Sequence, residues 1–248
     1  MIKQLRNLYS RLNKDYKCLP CFLVLYGIGL VGTVLAQLTG WVVLLYLTKP
    51  LLMVALAAFF YNNVKRVDGF VKLVLVALLL SWWGDVFLMF EGSGAVFFLL
   101  GLVSFLGAHV VYIVIFSRRA FWQYPNKGGF VKQQVWPVLA FAIFEVGLLI
   151  VLRPRLGELL IPVVIYATVI MLMVLTALNR YERVDWESFR LVFLGAVIFM
   201  LSDTLIALNK FWLSEPSVLF QIDIIVLYAL GQMLIVFGLL AYRKGLDS

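Results

Sequence analysis

The chain is organised as eight long apolar runs separated by short polar segments. The runs cover residues 19–38, 41–61, 70–89, 95–116, 135–152, 159–178, 189–209 and 218–242. At a helical rise of about 1.5 Å per residue, each run can cross roughly 30 Å of hydrocarbon. Because lipid offers the backbone no hydrogen-bond partners, such runs form helices. The pattern predicts an all-α integral membrane protein, with an eight-helix transmembrane bundle as a single domain over residues 1–248.

Composition leaves no room for a soluble domain of any size. The chain is 64% apolar and 14% charged, with a mean hydropathy of +1.01. An ordinary soluble domain is about 45–50% apolar and about 25% charged. The first apolar run is longer than the core of a secretory signal and is followed by no A-x-A cleavage site, so we expect it to be retained as a span.

The basic residues are distributed as a membrane topology predicts. The net charge is +8, and 17 of the 21 lysines and arginines lie in segments on the amino-terminal side of the bundle. The opposite side holds only Arg153, Arg155 and Lys210. Under the positive-inside rule, this asymmetry predicts that both termini lie in the cytoplasm. In a bacterium, the membrane that the bundle spans would be the cytoplasmic membrane. Charges at helix ends are not the footprint of a nucleic-acid-binding face, so we expect no nucleic-acid partner.

The two halves of the chain carry similar polar motifs. N-N-V-K-R-V-D at Asn62–Asp68 precedes a deep aspartate, Asp85, and N-R-Y-E-R-V-D at Asn179–Asp185 precedes another, Asp203. Four spans is an even number, so two such halves would share one orientation. The matches predict a parallel 4+4 repeat, and chance similarity between apolar segments is the alternative.

Ionisable side chains inside a membrane cost a few kcal/mol each, so they are candidates for function. Six acidic, basic or histidine side chains lie at least four residues from either end of an apolar run: Lys49, Asp85, His109, Glu145, Asp203 and Asp223. Counted along each helix, all but His109 lie in one layer, roughly 6–12 Å below the outer hydrocarbon edge, and His109 lies closer to the cytoplasm. The layer indicates either a shared polar cavity open to the outer leaflet or separate ion pairs that hold helices together.

Several chemistries are excluded by the motifs. A single histidine rules out a three-histidine zinc hydrolase. There is no G-x-S-x-G nucleophile elbow, no Walker loop and no G-x-G-x-x-G. What remains is carboxylate chemistry, in which one buried carboxyl group is protonated and a neighbouring one is ionised, giving an acid and a base.

Five motifs in the apolar runs combine polar and small residues: Thr48–Leu51 (T-K-P-L), Ser81–Met89 (S-W-W-G-D-V-F-L-M), Gly101–Tyr112 (with A-H-V-V-Y), Gly195–Asp203 (ending in S-D) and Gly231–Ile235 (G-Q-M-L-I). Together they resemble the YhhN-type membrane family, the lysoplasmalogenases. The resemblance runs from the second span to the eighth. It implies hydrolysis of the vinyl ether bond of lysoplasmalogens to a fatty aldehyde and glycerophosphocholine or glycerophosphoethanolamine, with no metal or organic cofactor.

The resemblance implies that Asp85 and Asp203 are the catalytic pair. Protonation of a vinyl ether gives an oxocarbenium ion that water attacks, which requires an acid and a base reached from the lipid interface. We expect the lipid phosphate to meet Lys49 and the outer end of the seventh span, at Asn209 and Lys210. His109 and Tyr112 complete the candidates for substrate binding, although His109 alternatively hydrogen-bonds between helices.

A proton-coupled transporter is the alternative function, because transporters often combine internal repeats with carboxylates inside the membrane. Glu145 and Asp223 are more typical of helix packing or of a polar cavity wall than of catalysis. A transporter should present acidic groups to both sides in turn. The single layer therefore favours an enzyme that draws a lipid substrate from one leaflet.

Overall fold

The computed structural model describes residues 16–118, 122–124, 129–213 and 217–247, and within them the protein is helical without strands. The long helices are α1 (Leu19–Thr39), α2 (Val42–Asn62), α3 (Gly69–Met89), α4 (Ala95–Ser117), α5 (Trp136–Leu156), α6 (Leu160–Leu178), α7 (Trp186–Ala207) and α8 (Val218–Asp247). Short helical pieces lie at Glu91–Ser93, Phe130–Gln133, Gly157–Leu159 and Leu208–Trp212. The all-α prediction is confirmed.

Seven helical segments in the described part of the chain are long and apolar enough to cross a membrane. One of them, Trp136–Leu178, has 43 residues and contains both α5 and α6. The Thr168 hydroxyl on α6 donates to Glu145 Oε1 on α5 at 3.1 Å, so the chain reverses between the two helices at the turn Gly157–Leu159. The predicted eight crossings count this segment twice, and that number stays a prediction.

Local sequence accounts for how the helices begin and end. The Asp68 side chain accepts a hydrogen bond from the backbone N–H of Val71 at 3.0 Å and so caps the start of α3. Gly40 ends α1 in the left-handed region, at φ 69°, where glycine has no Cβ to clash. The tight turn at Gly40 brings α2 back against α1.

Close backbone approach fixes the pairing of α7 with α8. A Cβ atom added to Gly195 would lie 2.7 Å from the backbone oxygen of Gly231 and 2.8 Å from the backbone N of Ile235. Small residues allow this approach, which favours helix association in lipid through van der Waals contact. The α3–α4 pair is another extensive contact in the bundle, and there Gly84 lies against the ring of Phe105.

Two features of the observed helices bear on the site. The seventh run was predicted to end at residue 209, but α7 continues through a π-helical segment to Trp212. Pro50 lies inside α2, and the helix continues through it to Asn62. Residues 1–15, which hold four of the basic residues used for the topology, lie outside the described residues, so the cytoplasmic termini and the repeat stay predictions.

Candidate active site

A polar cavity of about 250 Å³ opens at one end of the bundle, where α1, α3 and α7 end and α2 and α8 begin. Lys49, Asp85 and Asp203 all line it. Further polar groups come from the ends of α1, α7 and α8 and from the short helical piece Glu91–Ser93: Gln37, Glu91, Ser202, Asn209, Lys210 and Gln221. We call this space the polar cavity. Two aspartates and a lysine from three different helices therefore face one volume.

Asp85 is held by a cation and a phenol. Its carboxylate is 2% exposed, and its Oδ1 lies 3.7 Å from the Nζ of Lys49 on α2. The hydroxyl of Tyr228 on α8 donates to Asp85 Oδ2 at 2.7 Å. The nearby ammonium favours the negative form of this carboxylate over the neutral one.

Asp203 is contacted by a tyrosine and a histidine instead. The hydroxyl of Tyr166 on α6 donates to its Oδ2 at 2.5 Å. His109 Nε2 on α4 lies 3.6 Å from the same oxygen. The histidine is fully buried, and neither ring nitrogen has a hydrogen-bond partner among the described residues. No lysine or arginine in the described ranges forms an ion pair with Asp203.

A buried hydrogen-bond chain fixes the helices that carry these groups. The hydroxyl of Tyr112 donates to Gln232 Oε1 at 2.7 Å, and Gln232 Nε2 donates to Ser81 Oγ at 2.9 Å. All three side chains are fully buried. Ser81 lies one turn before Asp85 on α3, and Gln232 lies one turn after Tyr228 on α8, so the chain sets the register of the Tyr228–Asp85 contact.

The mouth of the polar cavity is made of charged and amide side chains. Lys210 pairs with Glu91 at 3.2 Å, and both are exposed. Asn209 Oδ1 accepts a hydrogen bond from the backbone N of Ser217 at 2.9 Å, which ties the end of α7 to the start of α8. Both Asn209 and Lys210 remain part of the lining, where a polar lipid group entering the cavity would meet them.

The structure brings together only part of the predicted charged layer. Glu145 hydrogen-bonds to Thr168 and lies outside the lining of the polar cavity, as does Asp223, which is exposed on α8. The prediction of one shared cavity holds for Lys49, Asp85 and Asp203 and is wrong for these two acids. Equal depth along separate helices does not make side chains face the same way.

His109 and Tyr112 also depart from their predicted places. His109 was expected nearer the cytoplasm than the aspartates, yet it lies beside Asp203. Depth counted along a helix assumes that all helices start at one level and end where the apolar runs end, whereas α7 continues through a π-helical segment to Trp212. Tyr112 does not line the polar cavity, and its hydroxyl is occupied by Gln232, so its position supports the site from behind.

Sequence reasoning missed the two tyrosines that bind the aspartates. Tyr166 and Tyr228 each lie within a long apolar run, and neither was among the candidate site residues. A signal was present, because a tyrosine hydroxyl buried in the middle of a span requires a hydrogen-bond partner. The sequence does not say which partner, since Tyr166 and Asp203 are 37 residues apart and Tyr228 and Asp85 are 143 apart.

A model of the YhhN family matches residues 44–239, which is most of the chain and extends from α2 into α8. The chain belongs to the YhhN family. No curated protein and no solved structure matched it. The matched range of this YhhN-family protein includes both aspartates, their four neighbours and the hydrogen-bond chain behind them. Gln37 on α1 is the part of the cavity lining that lies before it.

Proposed function

We propose that this YhhN-family protein is a lysoplasmalogenase that hydrolyses the vinyl ether bond of a lysoplasmalogen to a fatty aldehyde and glycerophosphocholine or glycerophosphoethanolamine. The observation that carries the proposal is the pair of buried aspartates on one cavity. Among the described residues, a lysine or arginine forms an ion pair with Asp85 and not with Asp203. Two carboxyl groups in unlike surroundings provide an acid and a base from the same residue type.

Asp203 is the proton donor in this proposal. With Tyr166 and a neutral His109 as neighbours, its carboxyl group has no cation among the described residues to hold it ionised. It protonates the vinyl carbon farther from the ether oxygen. The carbon–carbon π electrons form the new C–H bond, and the carbon attached to oxygen becomes an oxocarbenium ion. Asp203 is left as a carboxylate.

Asp85 is the base and the counter-charge. Its carboxylate, paired with Lys49 and bound by Tyr228, stabilises the cation electrostatically. It then removes a proton from the water that attacks the cationic carbon, and a hemiacetal forms. In the collapse, Asp85 returns this proton to the departing glycerol oxygen while the hemiacetal hydroxyl gives its proton to Asp203. The pair is restored, and one water has been consumed.

The lipid reaches these groups from the membrane. The polar cavity lies at one end of a bundle whose outer surface is apolar, with side chains such as Leu47 (69% exposed) and Leu219 (70%) beside the mouth helices. The vinyl ether bond of a lysolipid lies next to its glycerol, just below the head group. The polar groups at the mouth, Asn209 and Lys210 among them, suit the phosphate, while Lys49 is engaged by Asp85.

The test is aldehyde release from lysoplasmenylethanolamine and lysoplasmenylcholine by detergent-purified protein. Asp85→Asn and Asp203→Asn should lose release, whereas Asp223→Asn, which alters an exposed carboxylate of α8 outside the cavity, should keep it. In D₂O, the aldehyde should carry one deuterium on the carbon next to its carbonyl group.

The absence of aldehyde release would contradict the proposed activity. Monodisperse wild-type protein that releases no aldehyde from either substrate would overturn the proposal. Proton flux in liposomes would then test the transporter alternative.

A further inference from the structure

A second, smaller cavity adjoins the polar one and has the opposite character. It measures about 40 Å³ and lies between α4, α6 and the end of α7. Its walls are hydrocarbon, contributed by side chains that include Phe98, Leu102, Val163, Ala207 and Phe211. Its polar side chains are Tyr166 and Asp203, which belong to the candidate active site. We call this space the apolar pocket.

The two cavities meet at Asp203. Both linings contain this aspartate, together with Leu88, Phe105 and Ile206. One side of the carboxyl group therefore faces the amides and charges of the polar cavity. The other side faces the hydrocarbon walls of the apolar pocket.

This junction suits an amphipathic ligand with a single boundary between its polar and apolar parts. A head group placed in the polar cavity, with its chain in the apolar pocket, would bring that boundary to Asp203. We infer that the apolar pocket binds the first carbons of the hydrocarbon chain of a single-chain lipid. In a lysoplasmalogen the vinyl ether bond is at this boundary, and to that extent the inference rests on the proposed function.

The dimensions limit what the pocket accepts. A water molecule needs roughly 10–15 Å³ of such volume, so about 40 Å³ admits a few consecutive methylene groups of one chain. The remainder of the chain continues into the bilayer, because the helices that line the pocket expose apolar side chains such as Val103 (62% exposed) on α4 and Ile161 (70%) on α6. The edge-to-face contact of Phe98 and Phe211, at 6.0 Å between ring centres, forms one wall.

The pocket selects by shape and not by hydrophobicity. The bilayer is as apolar as the pocket, so a chain gains little solvation energy on moving between them. What the pocket supplies is van der Waals contact and a fixed position for the chain next to Asp203. A side chain that fills the pocket should therefore displace the lipid chain without altering the polar cavity.

Binding is tested with a saturated 1-O-alkyl lysophosphocholine, which has no vinyl ether bond and is not hydrolysed. Purified Ala207→Phe, which fills the pocket, should bind the labelled lipid at least 10-fold more weakly than wild type. Leu194→Phe is the matched control, because it adds the same ring to the lipid-facing side of α7, where Leu194 is 45% exposed. It should bind like wild type.

Photolabelling provides a test that needs no variant. The same lipid with a diazirine on the fourth chain carbon should label α4, α6 or the end of α7 in wild-type protein. Unchanged binding by folded Ala207→Phe, or labelling confined to the outer faces of α1 and α2, would overturn the inference. If the lipid binds as expected but a lysoplasmalogen yields no aldehyde, the subsite stands and the proposed activity fails. If a lysoplasmalogen yields aldehyde but Ala207→Phe binds the lipid as wild type does, the proposed activity stands and the subsite fails.

Discussion

Asp85 on α3 and Asp203 on α7 are both buried, both line the polar cavity, and both accept a hydrogen bond from a tyrosine of another helix. They differ in the second neighbour, which is Lys49 for Asp85 and His109 for Asp203. The two otherwise similar sites thus differ in one neighbour, a lysine in the first and a histidine in the second. The comparison teaches that chemical roles can be divided between identical residues by the charge placed next to each.

The neighbours also follow a common pattern of helices. Asp85 is contacted from α2 and α8, and Asp203 from α6 and α4. If the chain consists of two four-helix halves, each aspartate lies on the third helix of its half. It is contacted by the second helix of the same half and by the fourth helix of the other half. This is the arrangement that the predicted 4+4 repeat requires. The repeat itself stays a prediction.

The largest expected effect is that of removing the acid. Asp203→Asn retains the shape of the side chain and the hydrogen bond from Tyr166 but has no proton to give. General acid catalysis contributes about 10²–10⁴-fold, so we expect aldehyde release to fall by about 10³-fold. The measurement is the initial rate on lysoplasmenylethanolamine. A variant that keeps more than a tenth of the wild-type rate would contradict the role given to Asp203.

A smaller effect should follow from making the two sites alike. Lys49→Met removes the cation and leaves Asp85 without its counter-charge, so we expect aldehyde release to fall by about 10–100-fold, on the scale of one charge-assisted contact. Lys49→Arg should retain most of the activity because it keeps the charge.

Stability offers a second readout of the same pair. Removing one partner of a buried ion pair leaves an uncompensated charge, and removing both relieves it. The double variant Lys49→Met/Asp85→Asn should therefore unfold at a higher temperature than Lys49→Met. A lower midpoint for the double variant would mean that Asp85 is not ionised in the folded protein.

The two tyrosines allow the proposed roles of Asp85 and Asp203 to be compared one hydrogen bond at a time. A hydrogen bond to a charged group contributes about 1.5–3 kcal/mol and a neutral one about 0.5–1.5 kcal/mol. Tyr228→Phe, which removes a donor to ionised Asp85, should slow aldehyde release by about tenfold or more. Tyr166→Phe, beside protonated Asp203, should slow it less. The rates of the two variants are compared directly, and the reverse order would exchange the proposed roles.

The smallest effect on activity is expected from Tyr112, which belongs to the buried hydrogen-bond chain and not to the cavity lining. Tyr112→Phe leaves Gln232 Oε1 buried without its donor, which should lower the free energy of unfolding by about 1–3 kcal/mol. Because Tyr112 does not line the polar cavity, KM should stay unchanged and kcat should fall by only a few-fold. Thermal unfolding and steady-state kinetics measure the two quantities. A large rise in KM would indicate that Tyr112 contacts the substrate after all.

Much of the helical framework follows from the sequence. The runs predicted at 70–89 and 95–116 agree within one residue with α3 (Gly69–Met89) and α4 (Ala95–Ser117). Hydropathy succeeds here because lipid forces each backbone segment to satisfy its own hydrogen bonds. The sequence made Asp85 and Asp203 candidates for a related reason, since an ionisable group inside an apolar run has a cost that requires a partner or a function.

The partners themselves were decided by tertiary structure. The sequence places Asp203, His109 and Glu145 at stated depths along three helices, but it does not fix the rotation and relative height of those helices. Packing sets both, through contacts such as Gly195 with Gly231. Packing therefore turned Glu145 away from the polar cavity and placed Tyr166 on Asp203. Periodicity along one chain reports depth, whereas proximity is a property of several helices held together.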